Sequence, residues 1–538
     1  MPNRLVACRV QGAARQHSGR DRLLLARGFV GLLLLALVAS GCSGDDDSSS
    51  PDEPSDSPSA TSTDSTKPAD SGVAADLRPY YRQDVEWSAC DAGECATVNV
   101  PVDYDKPDDE MTELALARRP AGNPDKRIGT LFINPGGPGG SGIDYLEQFV
   151  GQASDEMLAR YDIVGFDPRG VASSDPVDCL SDEELDAYIA QDPSPETPAE
   201  VRELERQTKK MGKGCLADAG ALAKNMSTVD VAKDLDVLRG IVGDDKLHFA
   251  GASYGTFIGS TYAELFPKRV GRLMLDGAID PSLSAHEATL AQSEGFNTAL
   301  KAYVKNCIDN VSTCPLNGSV DAGMKQIGDF LDQVDKKPLD SGDADRPLTE
   351  SLAVYGIVLP LYDERSWPAL TQGLSAAFAG DGAMLLRFAD LYFARTSAGF
   401  ETNQPEAQMV VNCLDSPTNV TPADIRDAIP TYEKVSPVFG EVFAWMEAGC
   451  ASWPIKPDEK SPKIDGSGAD PILVVGTTRD PATPYEQSVA LADQLDSGVL
   501  LSRDGDGHTA YHRGNACIDK TIDAYLLEGE VPKDGKRC

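Results

Sequence analysis

Six short apolar runs set the terms for any fold of this chain: "GTLFIN" (129–134), "YDIVGFD" (161–167), "KLHFAG" (246–251), "RLMLDGA" (272–278), "PILVVGT" (471–477) and "GVLLSRD" (498–504). They are nearly continuous in hydrophobicity, not alternating, and helical patterns separate them. A strand that is apolar on both faces has to be covered on both. The runs therefore predict a mostly parallel sheet with helices on each side. Ahead of them, "ECATVNVPVDYDKP" reads as an antiparallel entry strand. Between 285 and 455 the rhythm lapses, and stretches such as "SEGFNTALKAYVKNC" and "GAMLLRFADLYFA" carry apolar residues at helical spacing. This predicts a helical cap over 285–455, inserted between core segments 76–284 and 456–538.

One run leads into "GASYG" (251–255). Glycines on both sides of Ser253 permit a tight strand-to-helix turn that lifts the hydroxyl out of the fold. Gly255 and Gly259, one helical turn apart, keep the following helix face narrow. The pattern is similar to the nucleophile elbow of α/β-hydrolases. The bland alternative is a turn that only packs.

A serine hydroxyl needs a base. His248 lies inside the elbow strand, where a packed core histidine is expected, and His286 opens the helical insertion. His508 follows the last apolar run in "RDGDGHTAYH", with His512 as its local rival. In α/β-hydrolases the order is Ser, then acid, then His after the final strand, which favours His508 as base. Asp480 in "LVVGTTRDPATP" follows the penultimate run and is the expected acid, there to orient the imidazole and stabilise the imidazolium. "INPGGPGGSG" (133–142) offers nearly bare backbone for an oxyanion hole, with Gly137 N–H as one donor and Tyr254 N–H as the other. It lacks the Gly-Lys-Ser/Thr ending of a phosphate-binding loop. No cofactor is called for.

The N-terminus reads as targeting. Six arginines precede "GFVGLLLLALVAS", too short for a comfortable membrane span, and then Gly41 and Cys42. The end of that stretch resembles a bacterial lipobox, so Cys42 is the expected lipidation site on the outer face of the cell membrane. The alternative is a signal (1–41) cleaved without lipid. Residues 42–75, rich in Ser, Asp, Pro and Thr, are expected to form a disordered tether. Six Arg against one Asp give residues 1–41 a net +5, so of the formal −36 the remainder carries −41. That acidity argues against nucleic acid as a partner.

Ten cysteines follow Cys42, an even number in an exported chain, which reads as disulfides. Chain-neighbour pairing gives Cys90–Cys95, Cys179–Cys215, Cys307–Cys314, Cys413–Cys450 and Cys517–Cys538. With no CxxC pair and no His/Cys cluster, no metal is expected.

Taken together, "NPGGPGGSG", "GFDPRG", "STVDVAKDLDVLRG", "GASYGT", "RLMLDGAIDP", "GTTRDPATP" and "GHTAY" resemble secreted actinobacterial α/β-hydrolases of the tripeptidyl aminopeptidase type, relatives of the prolyl aminopeptidases. The likeness covers roughly residues 80–538. It implies an α/β-hydrolase fold and a serine exopeptidase acting on peptides near a free N-terminus. Prolyl aminopeptidases carry His-Gly-Gly-Pro-Gly where this chain has Asn134-Pro135 before Gly136-Gly137-Pro138-Gly139, and a Trp where it has Tyr254. Both departures point to the tripeptidyl branch. Ala172 stands where relatives often have Gly. An exopeptidase needs a negative group for the substrate's α-ammonium, and Asp415 in "VVNCLDSP" is the candidate. An esterase acting on small acyl compounds, and a noncatalytic peptide-binding lipoprotein, are the competing readings.

Overall fold

The computed structural model describes residues 72–457 and 461–538. The export segment 1–41, Cys42 and tether residues 42–71 lie outside the described residues. The first strands are β1 (Ser88–Cys90), β2 (Gly93–Pro101), β3 (Met111–Arg119), β4 (Gly129–Asn134), β5 (Tyr161–Phe166), β6 (Leu247–Ala252) and β7 (Val270–Asp276). A small hairpin, β8 (Arg395–Thr396) with β9 (Gly399–Phe400), stands apart from β10 (Ile472–Arg479), β11 (Gly498–Asp506) and β12 (Lys536–Arg537). One ten-stranded sheet runs β1-β2-β3-β5-β4-β6-β7-β10-β11-β12. The pairs among β1, β2, β3 and β5 are antiparallel, and every pair from β5 through β4 to β12 is parallel.

The apolar runs become the parallel strands because both their faces are covered. All six residues of β4 are buried, as are six of the seven residues of β7. Two apolar clusters form the core, one led by Phe132, Phe249, Ile258 and Leu275, the other by Leu131, Ile133, Met274 and Ile522. Their alternation along β4 and β7 shows that they occupy opposite sheet faces. The elbow strand runs one residue further than its apolar run, to Ala252.

The "GFDPRG" segment fastens the loops at the β5 end of the sheet. Asp167 Oδ1 accepts from Ser141 Oγ at 2.6 Å and from Ile143 N–H at 3.2 Å, which fixes the start of helix Gly142–Gln152. Arg169 is fully buried, pairs with Asp234 at 2.5 Å and donates to the carbonyls of Pro101, Val102 and Asn225. A buried guanidinium persists only when its donors are satisfied in this way. Asp234 belongs to helix Thr228–Ile241, which packs beside the elbow helix Tyr254–Leu265.

Between β7 and β10 the chain is mainly helical, opening with Ala285–Asn310 and including Glu350–Leu361, Ala383–Tyr392 and Gln404–Asp415. Ser284 and Thr421 open two of these helices as complete capping boxes. A second excursion joins this cap. Cys179 and Leu180 donate their N–H groups to Glu406 Oε1 at 2.9 and 2.8 Å, and Arg395 pairs with Asp186 at 2.7 Å. Among the described residues, five disulfides, Cys90–Cys95, Cys179–Cys215, Cys307–Cys314, Cys413–Cys450 and Cys517–Cys538, each close a local loop. Among the described residues, no helix is long and apolar enough to cross a membrane.

Candidate active site

Ser253 sits between β6 and the elbow helix at φ 55° and ψ −124°, a conformation that a non-glycine residue holds only when its surroundings impose it. Two contacts impose it here. Ser253 N–H donates to Asp276 O at the end of β7 at 2.9 Å, and Gly136 presses on the turn from the other side. A β-carbon built on Gly136 would lie 2.6 Å from Ala252 O, 2.8 Å from Ser253 Cβ and 2.9 Å from Tyr254 N. The glycine-rich loop after β4 therefore lies directly against the elbow.

Where the loop meets the elbow, each contributes one amide with no acceptor among the described residues. Gly136 N–H is taken by Asn134 Oδ1 at 2.9 Å, whereas among the described residues Gly137 N–H and Tyr254 N–H donate to no protein acceptor. Gly136, Gly137 and Gly139 all have positive φ (96°, 116° and 88°), which side chains rarely tolerate. Gly139 in turn meets Gln404 and Ala407 of the cap helix Gln404–Asp415.

Asp480 and His508 form a buried pair. His508 Nδ1 lies 2.8 Å from Asp480 Oδ1 and 2.9 Å from Oδ2. Asp480 also accepts from Ala482 N–H (3.0 Å), Thr483 N–H (2.9 Å) and Thr509 N–H (3.1 Å). These bonds leave the carboxylate little freedom to turn and set the imidazole plane. Among the described residues, the far nitrogen, Nε2, is buried without a partner, and the Ser253 hydroxyl makes no hydrogen bond. Both groups lie along one short segment: Ser253 is bonded to residue 276, and a β-carbon on Gly277 would lie 3.2 Å from His508 Cε1.

The other histidines among the described residues are occupied elsewhere. His512 stacks on Tyr511 with ring centres 3.7 Å apart, and burial pushes its pKa down. His248 accepts from Arg272 N–H at 3.1 Å, and burial, helped by nearby arginines, pushes it down to about 4. His286 Nδ1 lies 2.8 Å from Glu447 Oε1 within the cap.

A family model described as alpha/beta hydrolase fold matches residues 129–313, and one described as TAP-like protein matches 436–538. The chain is 38% identical over 496 residues to serine protease Hip1 of Mycobacterium tuberculosis, covering 87% of this chain and 93% of that protein. It is 36% identical over 477 residues to carboxylesterase B of the same organism, covering 86% and 91%. It is 31% identical over 484 residues to tripeptidyl aminopeptidase of Streptomyces lividans, covering 87% and 89%. The chain belongs to the tripeptidyl aminopeptidase-like family of α/β-hydrolases. It is a serine hydrolase.

The first family match spans Gly137 and Ser253 and the second spans Asp480 and His508, whereas Asp415 lies in the stretch between them. Asp415 is half-buried at the start of helix Thr228–Ile241, accepting from Thr228 N–H at 2.8 Å and from Thr228 Oγ1 at 2.6 Å. Thr228 Oγ1 is also 2.6 Å from the Tyr254 hydroxyl. Burial pushes the Asp415 carboxyl up to about 7. Among the described residues, it has no cationic partner.

Three neighbours of the site were not singled out from sequence. Gly136 abuts the elbow. Tyr362 of the cap accepts from His508 N–H at 2.9 Å and sets its ring edge-on to the imidazole at 5.3 Å. Asp276 closes β7 with a buried carboxylate. Of these, only Asp276 left a sequence signal, an acid ending an otherwise apolar buried strand. Asp192, Asp335 and Glu350 bring carboxylate oxygens within 4.8 Å of one another, and none is hydrogen-bonded to Ser253, Asp480 or His508.

Proposed function

We propose that Ser253, His508 and Asp480 are the nucleophile, base and acid of a serine exopeptidase that releases tripeptides from a free N-terminus. The observation that carries the reading is the fixed Asp480–His508 pair, its Nε2 without a partner among the described residues, linked through Asp276 and Gly277 to a strained serine. In this scheme Nε2 takes the hydroxyl proton as Ser253 Oγ attacks the scissile carbonyl. Gly137 N–H and Tyr254 N–H receive the oxyanion. The same proton passes to the leaving amine, and a water activated by His508 releases the acyl group.

Asp415 is our candidate for the substrate's α-ammonium. Its carboxylate stands one tyrosine side chain and two hydrogen bonds from the backbone beside the nucleophile. Three extended residues span about 10 Å, a comparable reach. An ammonium of pKa about 7.7–8.0 would draw the buried carboxyl into its ionised form. We further propose export through residues 1–41, a lipid on Cys42 holding the protein at the outer face of the cell membrane, and a tether over 42–75.

The carboxylesterase B name of one relative favours a second reading, ester hydrolysis by the same three residues. Paired peptides with free and acetylated N-termini separate the two. Acetylation should lower kcat/KM about 10-fold or more, equivalent to ~1.4 kcal/mol. Equal rates would refute the exopeptidase. Labelling by a fluorophosphonate, lost in Ser253→Ala, excludes the noncatalytic alternative.

A further inference from the structure

The loop carrying His508 is an expensive piece of backbone. Thr509 (φ 68°) and His512 (φ 61°) are non-glycine residues in the left-handed region, just after Gly507 (φ 100°). Such a bend persists where its surroundings over-determine it, and here its successive amides all find acceptors. His508 N–H goes to Tyr362 O (2.9 Å), Thr509 N–H to Asp480 Oδ2 (3.1 Å) and His512 N–H to Asp519 Oδ1 (2.9 Å). The two in the middle converge on one side chain. Ala510 N–H donates to Asp276 Oδ1 (2.9 Å) and Oδ2 (3.0 Å), and Tyr511 N–H donates to Oδ2 (2.8 Å).

Asp276 is 2% exposed. Among the described residues its side chain accepts these bonds and donates none, so the geometry suits the carboxylate and offers a protonated acid no partner. Its own carbonyl accepts from Ser253 N–H at 2.9 Å, and the next residue, Gly277, abuts the imidazole. A single residue thus ties the elbow to the histidine loop. The charged and titratable groups that face it are His508 and Arg513 from the loop, Tyr145 from helix Gly142–Gln152, and Asp480 across the imidazole. Burial pushes the Asp276 carboxyl above its ordinary range, while the Tyr511 and Ala510 amides, then His508 and Arg513, oppose that rise.

We propose that Asp276 is a positioning residue of this site: it holds the His508 loop in register with Ser253, and its buried negative charge stabilises the imidazolium that forms as the serine is deprotonated. The proposal rests on the reading of Ser253, His508 and Asp480 given above. Asp480 fixes the ring through Nδ1, whereas Asp276 acts through the backbone and through its field.

Asp276→Asn tests it, because the change keeps the volume, removes the charge and turns an NH2 group toward amide donors. Labelling of Ser253 by a fluorophosphonate and kcat/KM on one peptide substrate should both fall about 10- to 100-fold, with KM little changed. Loss of the charge makes the imidazolium less stable, so the acid limb of both pH profiles should move to lower pH by about one unit. A variant labelled at the wild-type rate overturns the proposal. So does a slower variant whose acid limb has not moved, since that is the mark of a mere structural prop. Should the Asn variant fail to fold, Asp276→Glu carries the test. With its charge kept but displaced, it should lose rate and retain the acid limb, and an unchanged rate overturns the proposal. If the wild-type chain is not labelled at all, the underlying reading fails instead.

Discussion

Gly136→Ala is the sharpest probe of the elbow. The added methyl would make three contacts of 2.6, 2.8 and 2.9 Å, against ordinary contacts that begin near 3.4 Å. Two of the three atoms are backbone, which cannot swing aside as the end of a side chain could. Overpacking of this kind costs about 1–3 kcal/mol. The φ of 96° adds a further ~1–3 kcal/mol for a residue with a β-carbon. If the loop stays in place, the variant should lose about 2–6 kcal/mol of stability. If it yields, the strain falls, but Gly137 N–H moves away from the elbow, and on the proposed scheme loss of one oxyanion donor costs about 10²–10³ in kcat. Calorimetry alongside kcat and KM on a peptide substrate distinguishes these routes. Wild-type values of both Tm and kcat would show that the loop does not bear on the elbow as described.

Two further outcomes follow from the site. Ser253→Ala, Asp480→Asn and His508→Ala should each lower kcat by about 10⁴-fold or more with the fold intact, while His512→Ala stays near wild type; the reverse result for the two histidines would reassign the base. Burial pushes the Asp415 carboxyl from a reference of 3.8 up to about 7, so the folded state holds the extra proton and this group erodes stability as pH rises from about 4 to about 7. Asp415→Asn should therefore gain Tm relative to wild type at pH 8 but not at pH 4, and an equal difference at both pH values would contradict the burial of that charge.

Much of this was legible because its causes are local. β4, β5, β6, β7, β10 and β11 come from runs that are apolar on both faces, a pattern that only a doubly covered sheet satisfies. Ser253 declares itself through flanking glycines, and His508 and Asp480 through their order after the last two long strands. β3 was less visible: "MTELALARR" is apolar only in part, and its first residue, Met111, is 64% exposed. The order β5-β4-β6 leaves no mark in either strand. Gly136 looked like one glycine among several because its role depends on Ala252 and Tyr254, more than a hundred residues away. The contacts of residues 179–189 with the cap were hidden for the same reason, since Glu406, Ser351 and Arg395 lie far along the chain.

The anchors of the histidine loop differ in strength, and the difference bears on what the cap does. Asp480 and Asp276 hold Thr509, Ala510 and Tyr511 from the sheet, through bonds to carboxylates that are roughly twice as strong as neutral ones. The cap contributes one neutral bond from His508 N–H to Tyr362 O, of the kind that nets about 0.5–1.5 kcal/mol. It adds the edge-on Tyr362 ring and the partly exposed Arg513–Asp363 pair at 3.1 Å, the latter worth little at such exposure. His508 is therefore held mainly by the core. What the cap adds is orientation. Its turn at Tyr362 meets the backbone and one edge of the same imidazole whose other nitrogen is fixed by Asp480.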